Sequence, residues 1–296
     1  MKKPELDSIP VFHNDIDLFR EALNYTAAET LFAQRLIEKD YFCTLLIRYL
    51  TSADDTLIFK GGTCLAKVHA GFYRLSEDLD FSISTPVASS RSERSKMIRV
   101  IKETVARLPE KSGVFRLIKP LSGANNSTQY IAVVAYQTLL GDRDNIIKIE
   151  VGLREPLIMP PSNGLARTII LDPISGKAMI QPIPVPCISY DEAMAEKFRA
   201  ALSRREPAIR DFYDIDYAIR KLNFIPSHRN FLALISKKLA IPGNDPVDVS
   251  ENRFIAIRQQ LVSQLKPVLR AHDFAEFDLE SAFRVVNDVA AKLGGL

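Results

Sequence analysis

From about Asn14 to Thr51 apolar residues recur near helical spacing, among them Leu31, Phe32, Leu36, Ile37, Phe42, Leu45, Leu46 and Tyr49, and no proline interrupts them. That period predicts helix. It then changes. Thr56 to Phe59 is a short apolar run that reads as a strand, followed by Lys60-Gly61-Gly62-Thr63 and a helical stretch to about His69. Leu79, Phe81 and Ile83 alternate with Asp78, Asp80, Ser82 and Ser84, the two-residue period of a half-buried strand. Ser89 to Leu108 predicts a basic amphipathic helix. Val114–Ile118, Gln129–Thr138 and Asn145–Leu153 are β-rich, and Thr168–Leu171 is a weaker run of the same kind.

At Gln181-Pro182-Ile183-Pro184-Val185-Pro186 the composition shifts. Prolines at alternate positions cannot continue a helix or a central strand, so the segment reads as an extended connector. Beyond it the pattern is helical: Ser189–Arg204, Ala208–Lys221, Ser227–Leu239, Glu251–Lys266 and Ala275–Leu293. The expected class is α+β, a mixed sheet flanked by helices followed by a C-terminal helical domain. The boundary falls near residue 187, giving 1–186 as the α/β domain with its N-terminal helices and 187–296 as the helical domain. No internal repeat or low-complexity tract is visible.

Composition narrows the class only a little. The 296 residues, 47% hydrophobic and 25% charged, describe an ordinary globular chain. A net charge of +3 says little about partners, so any nucleic-acid argument must rest on where charges sit. Cys43, Cys64 and Cys187 are widely spaced and odd in number, without a CxxC pair, which fits free thiols in a reducing cytosol. His13, His69, His228 and His272 are equally scattered, so zinc-type ligand spacing is absent. Lys2 and Lys3 are followed by no apolar run, and no stretch approaches the ~18 apolar residues of a membrane span. The expectation is a cytoplasmic protein with no membrane segment.

The chemistry concentrates between Lys60 and Ser84. A strand, Gly-Gly-Thr, a helix, then a strand bearing Asp-x-Asp is an order with mechanical meaning. Glycines at a strand end let the backbone approach a phosphate, and the helix start offers N–H groups to it. Asp78 and Asp80, two apart on a strand, share a face and together suit Mg²⁺ or Mn²⁺, whose remaining ligands are waters and substrate phosphates. Alone, Gly-Gly-Thr is usually a turn and Asp-x-Asp a solvated face; their succession is what carries weight. The G-x-x-x-x-G-K-[ST] pattern of a P-loop is absent.

The segments FKGGT (Phe59–Thr63), FYRLSEDLDFSIS (Phe72–Ser84), IKIEVGLRE (Ile147–Glu155) and AEKFRAALSRREPAIRDFYDI (Ala195–Ile215), with EKDYF at Glu38–Phe42 ahead of them, resemble the AbiEii/AbiGii-type nucleotidyltransferase toxins. The resemblance runs from about Leu36 to Ile219 in the family's order. It implies a nucleotidyltransferase fold of the DNA polymerase β superfamily and a nucleoside triphosphate substrate. It also implies a cognate antitoxin, commonly a winged-helix protein encoded beside the toxin, and an acceptor that in some members is the end of a tRNA. The loop from Thr63 to Asp78 is longer than in many polymerase-β-like enzymes but similar to others of this toxin family.

Carried over residue by residue, the resemblance gives Gly61, Gly62 and Thr63 to the phosphates and Asp78 and Asp80 to the metal. Ser76 offers a hydroxyl to a phosphate or is a polar turn residue. Lys60 sits at the phosphate site or is a solvated lysine. Lys148 and Glu150 share the polar face of a strand, Glu150 as a third metal carboxylate or as half of a surface pair with Lys148. In the helical half, the resemblance has Lys197 neutralising the triphosphate, Asp211 orienting or deprotonating the acceptor hydroxyl, and Asp214 one turn on beside the nucleotide. Taken alone, Asp211 and Asp214 read as acids complementing a helix N-terminus. Between Lys197 and Lys238 ten Lys/Arg face four acids, a local excess of six. That is a footprint for an RNA backbone if the charges share a face, although no RNP or KH signature is present. The expected reaction is nucleotidyl transfer to the 3′ end of tRNA. Transfer to a protein or small molecule, or a non-catalytic nucleotide-binding protein, stand as alternatives.

Overall fold

The computed structural model describes residues 11–141 and 143–294; Lys2 and Lys3 lie outside them. The chain divides into two compact units between Ile188 and Ser189. The first holds a mixed seven-stranded sheet in the order β3-β4-β5-β2-β1-β7-β6, formed by β1 (Leu57–Lys60), β2 (Leu79–Ile83), β3 (Phe115–Ala124), β4 (Gln129–Gln137), β5 (Asp144–Gly152), β6 (Ser162–Ala166) and β7 (Ile183–Cys187). Its helices are α1 (Ile16–Thr30), α2 (Gln34–Ala53), the short α3 (Gly61–Cys64), α4 (Arg91–Met97) and α5 (Arg99–Ser112). A wide π-type turn, Leu65–His69, continues α3.

The predicted N-terminal helix is two helices. Leu31, itself exposed, adopts a left-handed backbone (φ 62°) that ends α1. The Ser89–Leu108 segment likewise divides into α4 and α5. Thr168–Leu171 is not a strand; it contributes one isolated bridge, Leu171 with Ala178. The proline-rich segment differs most from expectation. β7 lies inside the sheet, with five register pairs to β6 and one, Phe59 with Cys187, to β1. N–H groups of alternate residues point to the same side of a strand, so Pro182, Pro184 and Pro186 deprive one edge only. Ile183, Val185 and Cys187 keep theirs for the other. β6 itself, SNGLA, carried no strand signal.

β3 forms the opposite edge and pairs with β4 through two register shifts, at Leu117/Lys119 and Lys119/Ser122. The core lies on one face of the central strands, where Phe59 packs on Phe81 with ring centres 5.3 Å apart and Leu57, Ile83, Ile149 and Val151 are buried. α2 also buries charge. Lys67 Nζ sits 2.6 Å from Asp40 Oδ1 with both side chains enclosed, and it donates to Thr44 Oγ1 at 2.7 Å and to the Arg167 carbonyl at 3.2 Å. Asp40 Oδ2 accepts from the Ile169 N–H at 3.0 Å. A buried pair is tolerated when its remaining donors and acceptors are met in this way.

The second unit is helical: α6 (Tyr190–Ser203), α7 (Ile209–Leu222), α8 (Arg229–Leu239), α9 (Glu251–Arg258), α10 (Ala271–Glu276) and α11 (Leu279–Gly294). Ser189 caps α6 by accepting from the Glu192 N–H at 3.3 Å. At the other end Arg253 donates to the carbonyls of Ala201, Arg204 and Ala200 at 2.9, 3.0 and 3.2 Å, satisfying the last turn with a cation at the negative pole. Lys238 is enclosed between Glu192 (2.7 Å) and Glu196 (3.1 Å). Among the described residues no helix is long and apolar enough to cross a membrane.

Candidate active site

Register places the chemistry. Lys60 on β1 is paired with Asp80 on β2, and Asp80 with Glu150 on β5. Directly paired residues point to one face, so these three stand side by side across three strands, opposite the Phe59–Phe81 core. Asp78 lies just before β2 and its Oδ1 accepts the Lys148 N–H at 3.4 Å. Lys148, two residues before Glu150, reaches Glu150 Oε2 at 3.2 Å.

The turn by which β1 passes directly into α3 closes on this row. Gly61 has φ +74°, and a Cβ there would lie 2.3 Å from Asp80 Oδ2. Only glycine admits both that backbone and that approach. A Cβ on Gly62 would lie 2.4 Å from Arg74 Nη2, so a buried guanidinium backs the loop. Thr63 is buried and donates its hydroxyl proton to the Asp78 carbonyl, tying the loop to the acid that follows. Ser76 is half-buried in the segment leading to β2.

Burial pushes the Asp80 carboxyl up to about 6, with the charge of Glu150 adding to the effect and Lys60 and Lys148 opposing it. Burial tends to lower the Lys148 ammonium, but its carboxylate neighbours, Glu150 first, leave it above the ordinary lysine value. Glu150 Oε1 accepts from Gln129 Nε2 at 2.6 Å, and Gln129 Oε1 accepts from Asn125 Nδ2 at 2.8 Å. Sequence reasoning found neither Gln129 nor Arg74. Both act through neighbours brought in from other elements, and no local spacing marks them.

In the helical unit Lys197 on α6 and Asp211 and Asp214 on α7 form one cluster. Lys197 Nζ is 2.7 Å from Asp211 Oδ1 and 2.8 Å from Asp214 Oδ2, and Arg204 Nη1 lies 3.6 Å from Asp211 Oδ2. The basic excess counted along this stretch is partly consumed. Arg220 pairs with Asp216 and Glu276, Lys221 with Glu276 and Lys238 with Glu192 and Glu196, acids partly outside the counted window. Arg204, Arg205, Arg229 and Lys237 are exposed.

The fold also gathers a group that the spacing of cysteines and histidines did not suggest. Cys64, His69 and Cys187 bring one ligand atom each to within 4.8 Å of one another. Hydrogen bonding with Cys64 and with His69 lowers the Cys187 thiol against the opposing effect of burial.

A family model described as the nucleotidyl transferase AbiEii toxin of type IV toxin–antitoxin systems matches residues 44–284. No curated protein sequence matches the chain. Among solved structures it is similar to MenT4, a nucleotidyltransferase toxin from Mycobacterium tuberculosis H37Rv, with a TM-score of 0.53 at 20% identity over 93% of this chain and 98% of that one. It is also similar to JHP933 from Helicobacter pylori, with a TM-score of 0.50 at 15% identity over 89% of this chain and 95% of that one. At such identities the likeness speaks for the fold.

Proposed function

This chain belongs to the AbiEii family of nucleotidyltransferase toxins, and we propose that it transfers a nucleotide from a nucleoside triphosphate to the 3′ end of a tRNA. The observation that carries the reading is the packing of Gly61 against the Asp80 carboxylate, which sets a phosphate-admitting backbone beside a row of acids. Asp78, Asp80 and Glu150 offer only hard oxygen donors, and Asp80 is held up to about 6 by burial and by Glu150. Lys60 and Lys148 offset that shift only in part, and three carboxylates converging on one face make a hard donor set that fits Mg²⁺ or Mn²⁺. Asp78 and Asp80 would hold the ion, with Glu150, positioned by Gln129 and Lys148, as the third carboxylate. Such an ion stabilises charge on the attacking and leaving oxygens of a phosphoryl transfer.

The remaining roles fall to the chain's own groups. The Gly61 and Gly62 backbone admits the triphosphate, Thr63 keeps that loop joined to Asp78, and Lys60, Ser76 and Lys148 line the phosphate side. An acceptor hydroxyl attacks the α-phosphorus and pyrophosphate leaves. Lys197 neutralises charge on the triphosphate, Asp211 takes the proton of the attacking hydroxyl, and Asp214 holds Lys197 in place. The exposed Arg204 and Arg205 are assigned to the tRNA backbone, and a winged-helix antitoxin to control of the toxin. Incubation with each labelled nucleoside triphosphate, with and without bulk tRNA, tests the reading. Label should appear on tRNA with release of pyrophosphate. Label confined to a protein or small molecule, or none at all, would overturn it. Arg205→Ala should weaken tRNA binding and shrink its salt dependence while sparing nucleotide binding. It is a cleaner probe than Arg204, which also reaches Asp211.

A further inference from the structure

We propose that Cys64, Cys187 and His69 form a binding site for one thiophilic divalent metal ion of the Zn²⁺ class, separate from the carboxylate row. Cys64 ends α3, His69 ends the π-type turn that follows it, and Cys187 ends β7, where it is in register with Phe59 of β1. The Ile188 N–H donates to the Phe59 carbonyl at 3.0 Å, fixing the backbone on which Cys187 sits. Three ligand atoms from segments far apart in sequence thus lie within 4.8 Å of one another. A tetrahedral ion with bonds of ~2.0–2.3 Å sets its ligand atoms roughly 3.5–3.8 Å apart. About 1 Å of closure completes the set.

The imidazole is held through one of its nitrogens. Its Nε2 lies 3.0 Å from the Ile188 carbonyl oxygen. A carbonyl only accepts, so Nε2 carries the hydrogen and the lone pair is on Nδ1. With one ring nitrogen donating to a backbone carbonyl, the other is the one that can bind a metal, the usual support of a metal-bound histidine. Both thiols are fully buried, where an isolated thiolate would be costly. Two thiolates with one divalent ion and a neutral imidazole carry no net charge, so the complete site suits that burial. Binding converts two thiols to thiolates and releases two protons to solvent.

The neighbouring strand leaves room for little else. A Cβ at Gly164 on β6 would lie 2.8 Å from Cys187 Sγ and 2.5 Å from Val68 Cγ1. The Ser162 carbonyl oxygen is 3.5 Å from Cys187 Sγ, and a fourth ligand would be water or this oxygen. The donor set of two sulfurs and one imidazole is soft where the carboxylate row is hard, so the two sites select different ions. Bound metal would clamp the α3 turn to β7.

The test uses the full chain, reduced with a phosphine and stripped of metal, and titrated with Co²⁺. One ion per chain is expected, with thiolate-to-cobalt charge-transfer absorption and intense four-coordinate bands that Zn²⁺ abolishes and excess Mg²⁺ leaves unchanged. Cys64→Ser and Cys187→Ser should lose the charge-transfer absorption, and Cys43→Ser should keep it. Should the first two fail to fold, X-ray absorption at the zinc edge of the wild-type protein must count two sulfur neighbours. An all-oxygen-and-nitrogen shell, no binding at tenfold excess of metal, or a Cys64–Cys187 disulfide in a chain that binds no metal after reduction would each overturn the proposal. None of these readouts depends on nucleotide transfer.

Discussion

Two clusters in this molecule use the same residue types and reach opposite electrostatic states. On the sheet, Asp78, Asp80 and Glu150 lie close with Lys60 and Lys148 at the margin, and Asp80 responds by holding its proton up to about 6. In the helical unit Lys197 sits between Asp211 and Asp214 at 2.7 and 2.8 Å and bridges one oxygen of each. In the first cluster the lysines stand at the margin and repulsion between the acids persists; in the second a lysine lies between the acids. Removing one acid from the first therefore relieves repulsion, whereas removing the lysine from the second leaves two buried acids facing each other.

The largest contrast is expected at Asp80. Asp80→Asn should reduce nucleotide transfer by about three orders of magnitude, a loss typical of removing a group that stabilises transition-state charge, while the metal-free melt stays at or above wild type. Full activity in this variant would break the assignment. Next, Lys197→Met should cost about 3–5 kcal/mol of stability in denaturant titration, the usual penalty for stranding buried charges. Lys197→Arg should recover most of the stability but only part of the activity, since a planar fork replaces a compact charge. A Lys197→Met variant as stable as wild type would show that the second cluster is not self-neutralised. Third, Gln129→Leu should weaken metal binding about 10- to 100-fold through Glu150, as supporting groups around a metal generally do, with only a small change in the melt.

The smallest effect is a pH dependence of the metal-free protein. A carboxyl whose folded value lies above its ordinary one holds its proton more tightly when folded, so protonation favours the fold. Asp80 thus adds stability as pH falls through about 6 toward the ordinary carboxylate range, and that stability is lost as pH rises through about 6. The shift sets a ceiling of about 3 kcal/mol, and the partial exposure of Asp80 brings the change below it. It should flatten in Asp80→Asn and when Mg²⁺ is added, and a wild-type limb identical to that of Asp80→Asn would remove Asp80 as its source.

Much of this arrangement was legible before folding. The alternation about Asp80, the glycines after β1 and the polar face of β5 each follow from local period, and local period survives packing. What was hidden depends on pairing. That Lys60, Asp80 and Glu150 are neighbours is a matter of register. Cys187 reaches Cys64 only because β7 lies beside β1, and three prolines argued against any such strand. The end of α1 at Leu31 left no mark because a left-handed leucine has no sequence signature. The helical cluster was half legible: Asp211 and Asp214 share a face by spacing, while their neutralisation by Lys197 requires α6 packed on α7.

The irregular outer strand β3 has a consequence for the protein in concentrated solution. A straight, fully hydrogen-bonding sheet margin is a template on which another chain can add, and chains then stack without limit. β3 breaks its spacing twice within a few residues, and Pro120, within the second break, has no N–H to offer. An incoming strand would lose register after three or four residues. On that side the edge is blunted, and open-ended stacking of chains is disfavoured.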